Sequence, residues 1–176
     1  MDIVAGVVVG VVLLTTWVTW IATRVDRLHG RVDAARASLD AQLVRRAAAL
    51  QALADSPGQP LGQALADRLR TVARASLDAN PAAREMAEND LSRALYEIPA
   101  DLDPDLLADL ADAARRVAFA RRFYNDAVRD TAALRRRGLP RLLRLGGRRP
   151  VPAFFEIDDT IPAVAARRPI GPPASR

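Results

Sequence analysis

The stretch LLADLADAARRVAFARRFYNDAVRDTAAL, Leu106–Leu134, decides the fold. Leu106, Leu110, Ala113, Val117, Ala120, Tyr124, Ala127, Thr131 and Leu134 recur at alternating steps of four and three for about four heptads. That spacing puts them on one side of an α-helix as a coiled-coil-like seam, whereas a strand would need a period of two. Asp103-Pro104 ahead of the seam combines a capping residue with proline at the first helical position, and Gly138 followed by Pro140 ends the pattern.

Inside this helix the polar triplet Tyr124, Asn125 and Asp126 interrupts a plain background of Ala, Leu, Arg and Asp. Tyr124 falls on the seam and Phe123 on its flank, one turn after Phe119, so Tyr124 and Phe123 are expected in the core. Asn125 lies about 100° further round, in a row with Ala114, Ala118 and Ala132. A neighbouring helix can approach such a small row, and Asn125 is expected to bond across and fix register. Asp126 stands at helical spacing from Arg122 and Arg129, as for an exposed ion pair worth a few tenths of a kcal/mol. The triplet therefore reads first as a packing lock and second as a ligand or partner contact.

Working outward, the same periodicity recurs. Val25, Leu28, Val32, Ala35, Leu39, Leu43, Ala47, Leu50, Leu53 and Ala54 form one helical stripe, broken by Asp55-Ser56-Pro57-Gly58-Gln59-Pro60. Leu61, Leu65, Leu69 and Val72, with Leu77 near the end, form a second. Asn80-Pro81 opens a third helix carrying Met86, Leu91 and Leu95, which stops near Ile98-Pro99. No segment combines strand length, alternation and hairpin turns. The expected class is all-α: a single N-terminal transmembrane helix followed by an antiparallel four-helix bundle with long first and last helices and short loops.

The anchor is residues 3–23, a run of 21 residues without charge, roughly 31 Å long as a helix and matched to a bilayer core. Trp17 and Trp20 lie near its end, where interfacial aromatics belong. Asp2 ahead of the run and the lack of an Ala-x-Ala-like site favour an uncleaved anchor over a signal peptide. Arg24, Arg27 and Arg31 follow, so the positive-inside rule places the N-terminus outside and the body in the cytoplasm, with the chain single-pass in the cell membrane. His29 is expected to be exposed near the headgroups.

Composition excludes much chemistry. There is no cysteine, hence no disulfide frame, thiol nucleophile or thiolate metal site. All 26 basic residues are arginine, so neither Schiff-base chemistry nor the lysine of a phosphate-binding loop is available. Arginine and alanine codons are GC-rich, which reads as the signature of a GC-rich genome. One histidine cannot build a His-rich metal site, and the acidic residues show no metal-loop spacing. The expectation is a protein without catalytic residues, cofactor or metal.

"ARRFYNDAV", Ala120–Val128, with the long helix before it, resembles the LemA family of membrane-anchored helical proteins. The first helix agrees: in "GRVDAARASLDAQLVRR" the residues Val32, Ala35, Leu39, Asp40, Gln42, Leu43, Arg45 and Arg46 stand where the family has matching types. The closing "FFEIDD", Phe154–Asp159, looks like the family's Phe-Glu-acidic segment, so the likeness runs from the anchor to about residue 160. Two features depart from it. After the paired arginines the chain reads "AAALQALA" instead of an Ile-Pro-Asn-Leu-like turn, and Ala114 replaces a family glutamate. The resemblance implies a single-pass membrane protein with a cytoplasmic helical bundle. It supplies no activity, since the family has no settled biochemical function.

From Arg129 onward there are 11 arginines and four acidic residues, with Arg135, Arg136, Arg137, Arg141, Arg144, Arg148 and Arg149 the densest part. Leu139, Leu142, Leu143 and Leu145 intersperse them, as in an interfacial segment. An antiparallel four-helix order would return the last helix to the membrane end, where each arginine near anionic lipid contributes about 1 kcal/mol. Nucleic acid is set aside, because aromatic interleaving is absent and an anchor is present. The expected organisation is an anchor at 1–23, a bundle at 24–138, a basic and apolar segment at 139–160 and a Pro-rich disordered tail at 161–176. The functional reading is a non-enzymatic scaffold at the cytoplasmic face that binds a protein partner, self-association included, with an anionic-lipid-binding module as the alternative.

Overall fold

The computed structural model describes residues 2–136 and 152–159. Four α-helices follow in order: α1 Asp2–Asp55, α2 Gln63–Asp78, α3 Arg84–Leu95 and α4 Pro104–Arg136. Among the described residues there is no strand. The chain divides into two compact units, one of Met1–Arg36 and Phe123–Phe154, the other of Ala37–Arg122 and Phe155–Arg176.

The first unit holds the apolar half of α1, which is long and apolar enough to cross a membrane. Most of its side chains face outward, Ile3, Leu13 and Trp20 among them, while Ile21 near its end is buried. The hydroxyls of Thr15, Thr16, Thr19 and Thr23 each donate to the carbonyl four residues back at 2.8 Å. In hydrocarbon those hydroxyls would otherwise find no acceptor, so the arrangement suits a lipid environment. Arg24 lies 5.6 Å from the centroid of the Trp20 ring, a cation–π contact where the apolar run ends. Beyond it Val32 and Ala35 are buried, as are Tyr124, Ala127, Val128 and Thr131 of α4.

His29 corrects the sequence reading: it is buried, not exposed. It precedes Val32 by three residues, and Val32 precedes Ala35 by three, so all three share the buried line of α1.

The second unit has a continuous core to which all four helices contribute. Ala47, Leu50, Leu53 and Ala54 come from α1, Leu69 and Ala73 from α2, Leu91, Ala94 and Leu95 from α3, and Leu107 and Leu110 from α4. Ile98 and Leu102 of the connection between α3 and α4 complete it. Each fully buried leucine contributes roughly 1.5–3 kcal/mol through removal of apolar surface from water. α1 ends at Asp55 and α4 begins at Pro104 where the sequence places them, whereas α3 begins at Arg84, after a turn over residues 81–83, instead of directly at Asn80-Pro81. Gly58 turns the chain after α1 with φ +78°, a conformation that strains any residue with a Cβ. Asn80 Oδ1 accepts from the backbone N–H groups of Ala82 and Ala83 at 3.0 Å, and Asp103 Oδ1 caps α4 through Asp105 N at 2.8 Å. Arg70 donates to the Ala54 carbonyl at 2.8 Å and to Asp55 and Asp67, tying α2 to the C-terminus of α1. Its pKa is raised, chiefly by the hydrogen bond to Asp55.

Three expected core positions are corrected. Phe123 is 58% exposed, because the buried line runs through Tyr124, Ala127 and Val128 on the other flank of the seam. Met86 is 66% exposed; its neighbours Ala87 and Glu88 take the buried face of α3. Leu77 is also exposed, and Ser76 holds the buried position at the end of α2. In the last two cases a polar side chain sits inside, for a shared reason.

Candidate functional site

Arg46 is 1% exposed and Glu88 is 0% exposed, as deep as the leucines around them. Arg46 falls on the buried line of α1, three residues after Leu43 and four before Leu50. Glu88 lies three residues before Leu91 on α3. One Nη of Arg46 is 2.7 Å from Glu88 Oε2, and the other donates to Ser92 Oγ at 3.2 Å. Ser76 of α2 donates to Glu88 Oε1 at 2.8 Å, and Arg84 Nε stands 3.5 Å from the same oxygen. Arg84 also donates to the Ser76 carbonyl at 2.8 Å. Three helices thus converge on one carboxylate.

Burying an ion pair is favourable only when further hydrogen bonds satisfy the remaining lone pairs and protons. Ser76 does this for one oxygen of Glu88, while Arg84 adds its charge at 3.5 Å with no hydrogen bond from its Nε among the described residues. Arg46 Nε has no hydrogen-bond partner among the described residues. Both oxygens of Glu88 are engaged and sealed from solvent, so the pair is placed to hold helices together and offers no free face to a substrate.

The network extends outward through Ser92. While accepting from Arg46, its hydroxyl donates to the Asp158 carbonyl at 2.6 Å. Residues 152–159 form no helix or strand, and their burial alternates: Phe155 and Ile157 are buried, Phe154, Glu156 and Asp158 exposed. That is the period of an extended chain. Glu156 N donates to Glu85 Oε1 at 3.0 Å and Asp158 N to Asn89 Oδ1 at 2.8 Å. Glu85, Asn89 and Ser92 follow one another at steps of four and three, so one face of α3 holds the backbone of this segment. Arg121 of α4 closes its end on Asp159 Oδ2 at 2.8 Å.

The residues singled out by sequence fare differently. Arg46 enters the network, whereas Arg45 beside it is exposed. Asp40 and Gln42 are half-buried, and the Gln42 Oε1 atom is buried without a hydrogen-bond partner among the described residues. In the other unit Tyr124 is 2% exposed, its hydroxyl donates to the Ala153 carbonyl at 2.8 Å, and Arg36 lies 5.9 Å from its ring centroid. Asn125 is half-buried. Asp126 pairs with Arg129 at 2.6 Å on the surface, as spacing predicts. Arg136 is the exposed last residue of α4, and Arg135 belongs to the same helix. Arg137, Arg141, Arg144, Arg148 and Arg149, with the expected tail at 161–176, lie outside the described residues. Sequence reasoning missed Glu88, Ser76 and Ser92. The available signal was a charge and two hydroxyls falling on buried helical lines.

The first unit also carries an open cavity of about 310 Å³ lined by Arg24, Leu28, Arg31, Asp130, Ala133 and Leu134. Among the described residues no group of three or more potential metal ligands converges. Comparison with family models, with curated proteins and with solved structures finds no match.

Proposed function

We propose that this chain is a single-pass membrane protein, similar to the LemA family, whose body is an antiparallel four-helix bundle serving as a non-enzymatic interaction scaffold at the cytoplasmic face. The observation that carries the reading is α1. Its first part is an outward-facing apolar run of membrane length, and its later part supplies Ala47, Leu50, Leu53 and Ala54 to the core. Anchor and body therefore share one unbroken helix, which suits a protein that presents a folded surface close to a bilayer. Arg24, Arg27 and Arg31 directly after the span argue for a cytoplasmic body. The sealed Arg46–Glu88 pair supports a holding role for the most conspicuous polar cluster.

A reporter fused after Arg176 tests the topology. It should act as cytoplasmic; exported-reporter activity, or a mature chain lacking Trp17, rejects the placement. Crosslinking in intact membranes tests the scaffold and should trap discrete protein adducts of the body. A chain that yields only lipid adducts is no scaffold.

One observation favours the lipid-binding alternative. The cavity lined by Arg24 and Arg31 begins one residue beyond the apolar run, at headgroup depth, and mixes guanidinium groups with Leu28 and Leu134. On that reading, binding to vesicles depends on anionic lipid and weakens as salt rises.

A further inference from the structure

The α3 face of Glu85, Asn89 and Ser92 is a docking groove for an extended segment, and it is filled by this chain's own residues 155–159. We infer that the same groove accepts the Phe155–Asp159 segment of a second copy, so that two chains associate by exchanging this segment.

The chemistry of recognition leads to this. The groove binds the segment mainly through main-chain groups: Glu85 and Asn89 accept the N–H groups of Glu156 and Asp158, and Ser92 donates to the Asp158 carbonyl. Specificity comes from two alternate apolar side chains, Phe155 and Ile157, and from Arg121 pairing with Asp159. The preferred occupant has an apolar-x-apolar-acidic-acidic pattern, which every copy of this chain carries. An exchanged segment makes all of these contacts unchanged. Swapping an identical element in this way is a low-cost route to dimers.

Chain length permits it. Residues 137–151 join α4 to the segment, and 15 residues can reach about 50 Å. Within its own copy the chain must return only from Arg136 to the level of Tyr124, where Ala153 is held. Those 12 residues of helix measure about 18 Å. A connection nearly three times longer than its span does not force the segment back onto its own α3. Short connections enforce self-docking; one of this length does not, and the choice between own and partner groove then follows the local concentration of copies.

The inference deepens the scaffold reading by naming one partner, and it rests on that reading only for the partner's class. A failed exchange leaves adducts with other proteins unaffected, so the two fail separately. The absence of native cysteine makes the test clean. Two differently tagged full-length chains, one Asn89→Cys and one Asp158→Cys, are co-expressed and oxidised in intact membranes. The expected product is a disulfide-linked dimer carrying both tags. A control pair replaces Asn89→Cys with Met86→Cys, on the exposed face of the same helix, and should give less than about one-tenth as much dimer. A single chain carrying Asn89→Cys and Asp158→Cys together should close an internal bond, which reports the groove itself. The inference is overturned if that chain closes while the mixed pair yields no dimer, if it fails to close, or if Met86→Cys crosslinks equally well.

Discussion

Removing the Glu88 carboxylate should be among the most damaging single changes available in this protein. Glu88→Ala leaves the Arg46 cation at 1% exposure, its Nε already without a hydrogen-bond partner among the described residues. Its remaining bonds are to Ser92 Oγ at 3.2 Å and the Glu88 carbonyl at 3.4 Å. Ser76 loses its acceptor, and Arg84 its counter-ion. An uncompensated buried charge of this kind costs about 3–5 kcal/mol. Against a total stability on the order of 5–15 kcal/mol, that is about a fifth or more. At roughly 3–4 °C per kcal/mol for a body of this size, the melting temperature should fall by about 10–20 °C. Glu88→Gln keeps the shape and removes the charge, so it should lie between wild type and Glu88→Ala. The paired change Arg46→Met with Glu88→Leu removes the stranded Arg46 charge and should return within about 2 kcal/mol of wild type, the remainder being the unpaired Ser76 hydroxyl and an Arg84 without its counter-ion. Denaturant and thermal melts of the full chain in detergent, followed by circular dichroism, supply the double-mutant cycle. A cost below about 1 kcal/mol for Glu88→Ala, or strictly additive single changes, would refute the claim that the two side chains form one buried unit.

Tyr124→Ala should destabilise the fold by about 3–5 kcal/mol, as loss of a buried aromatic does; a change under about 1 kcal/mol in the same melts contradicts its burial. Tyr124→Phe removes only the bond to the Ala153 carbonyl and should cost about 1 kcal/mol, while increasing proteolytic cutting near residue 153. Asp103→Ala removes the side-chain cap of α4 and Asn80→Ala the side-chain bonds of the turn before α3; each should cost about 0.5–2 kcal/mol, adding independently, and no loss at either site would show that its bonds are idle. Changing Arg141, Arg144, Arg148 and Arg149 together to Gln should abolish any dependence of vesicle co-sedimentation on anionic lipid, with the thermal melt unchanged. A body that ignores anionic lipid at low salt ends the lipid alternative.

Periodicity made the helices legible before any coordinates. The seam from Leu106 to Leu134 needs no long-range information, because spacings of three and four have meaning on one helix alone. The cap at Asp103 and the turns at Gly58 and Asn80 were legible for the same reason: each acts within a few residues. Phe123 and Phe119 were harder. A helix four heptads long does not say which flank of its seam a neighbour covers, and both rings lie on the uncovered side. Met86 and Leu77 mislead in the opposite sense. Hydrophobicity assigns them to the core, yet Glu88 and Ser76 occupy it, since each finds a partner more than ten residues away in sequence. The docked segment was visible as a motif, Phe154–Asp159, but nothing local reveals that Glu85, Asn89 and Ser92 would receive it.

A buried ion pair adds little net stability compared with well-packed apolar residues, so its presence here calls for another reason. The sequence around it suggests one. From Arg46 to Ala54 the first helix reads RAAALQALA, and its partners offer Leu69, Ala73, Leu91, Ala94 and Leu95. Leucines and alanines repeating at helical spacing can be paired in more than one register with similar area buried. Displacing α1 by one turn would exchange leucine for leucine, but it would carry the Arg46 guanidinium about 5 Å from Glu88 and strand both charges. The pair thus penalises the wrong registers more than it favours the right one. Because Ser92 joins the pair to the Asp158 carbonyl, the register of the helices and the seating of the C-terminal segment are set by the same side chains. The charge-free double variant separates these roles. It should stay within about 2 kcal/mol of wild type in the melts while losing its single arrangement, seen as broadened amide resonances and weaker protection of residues 152–159 from proteolysis. A double variant with sharp resonances and an intact segment would show that apolar packing alone sets the register.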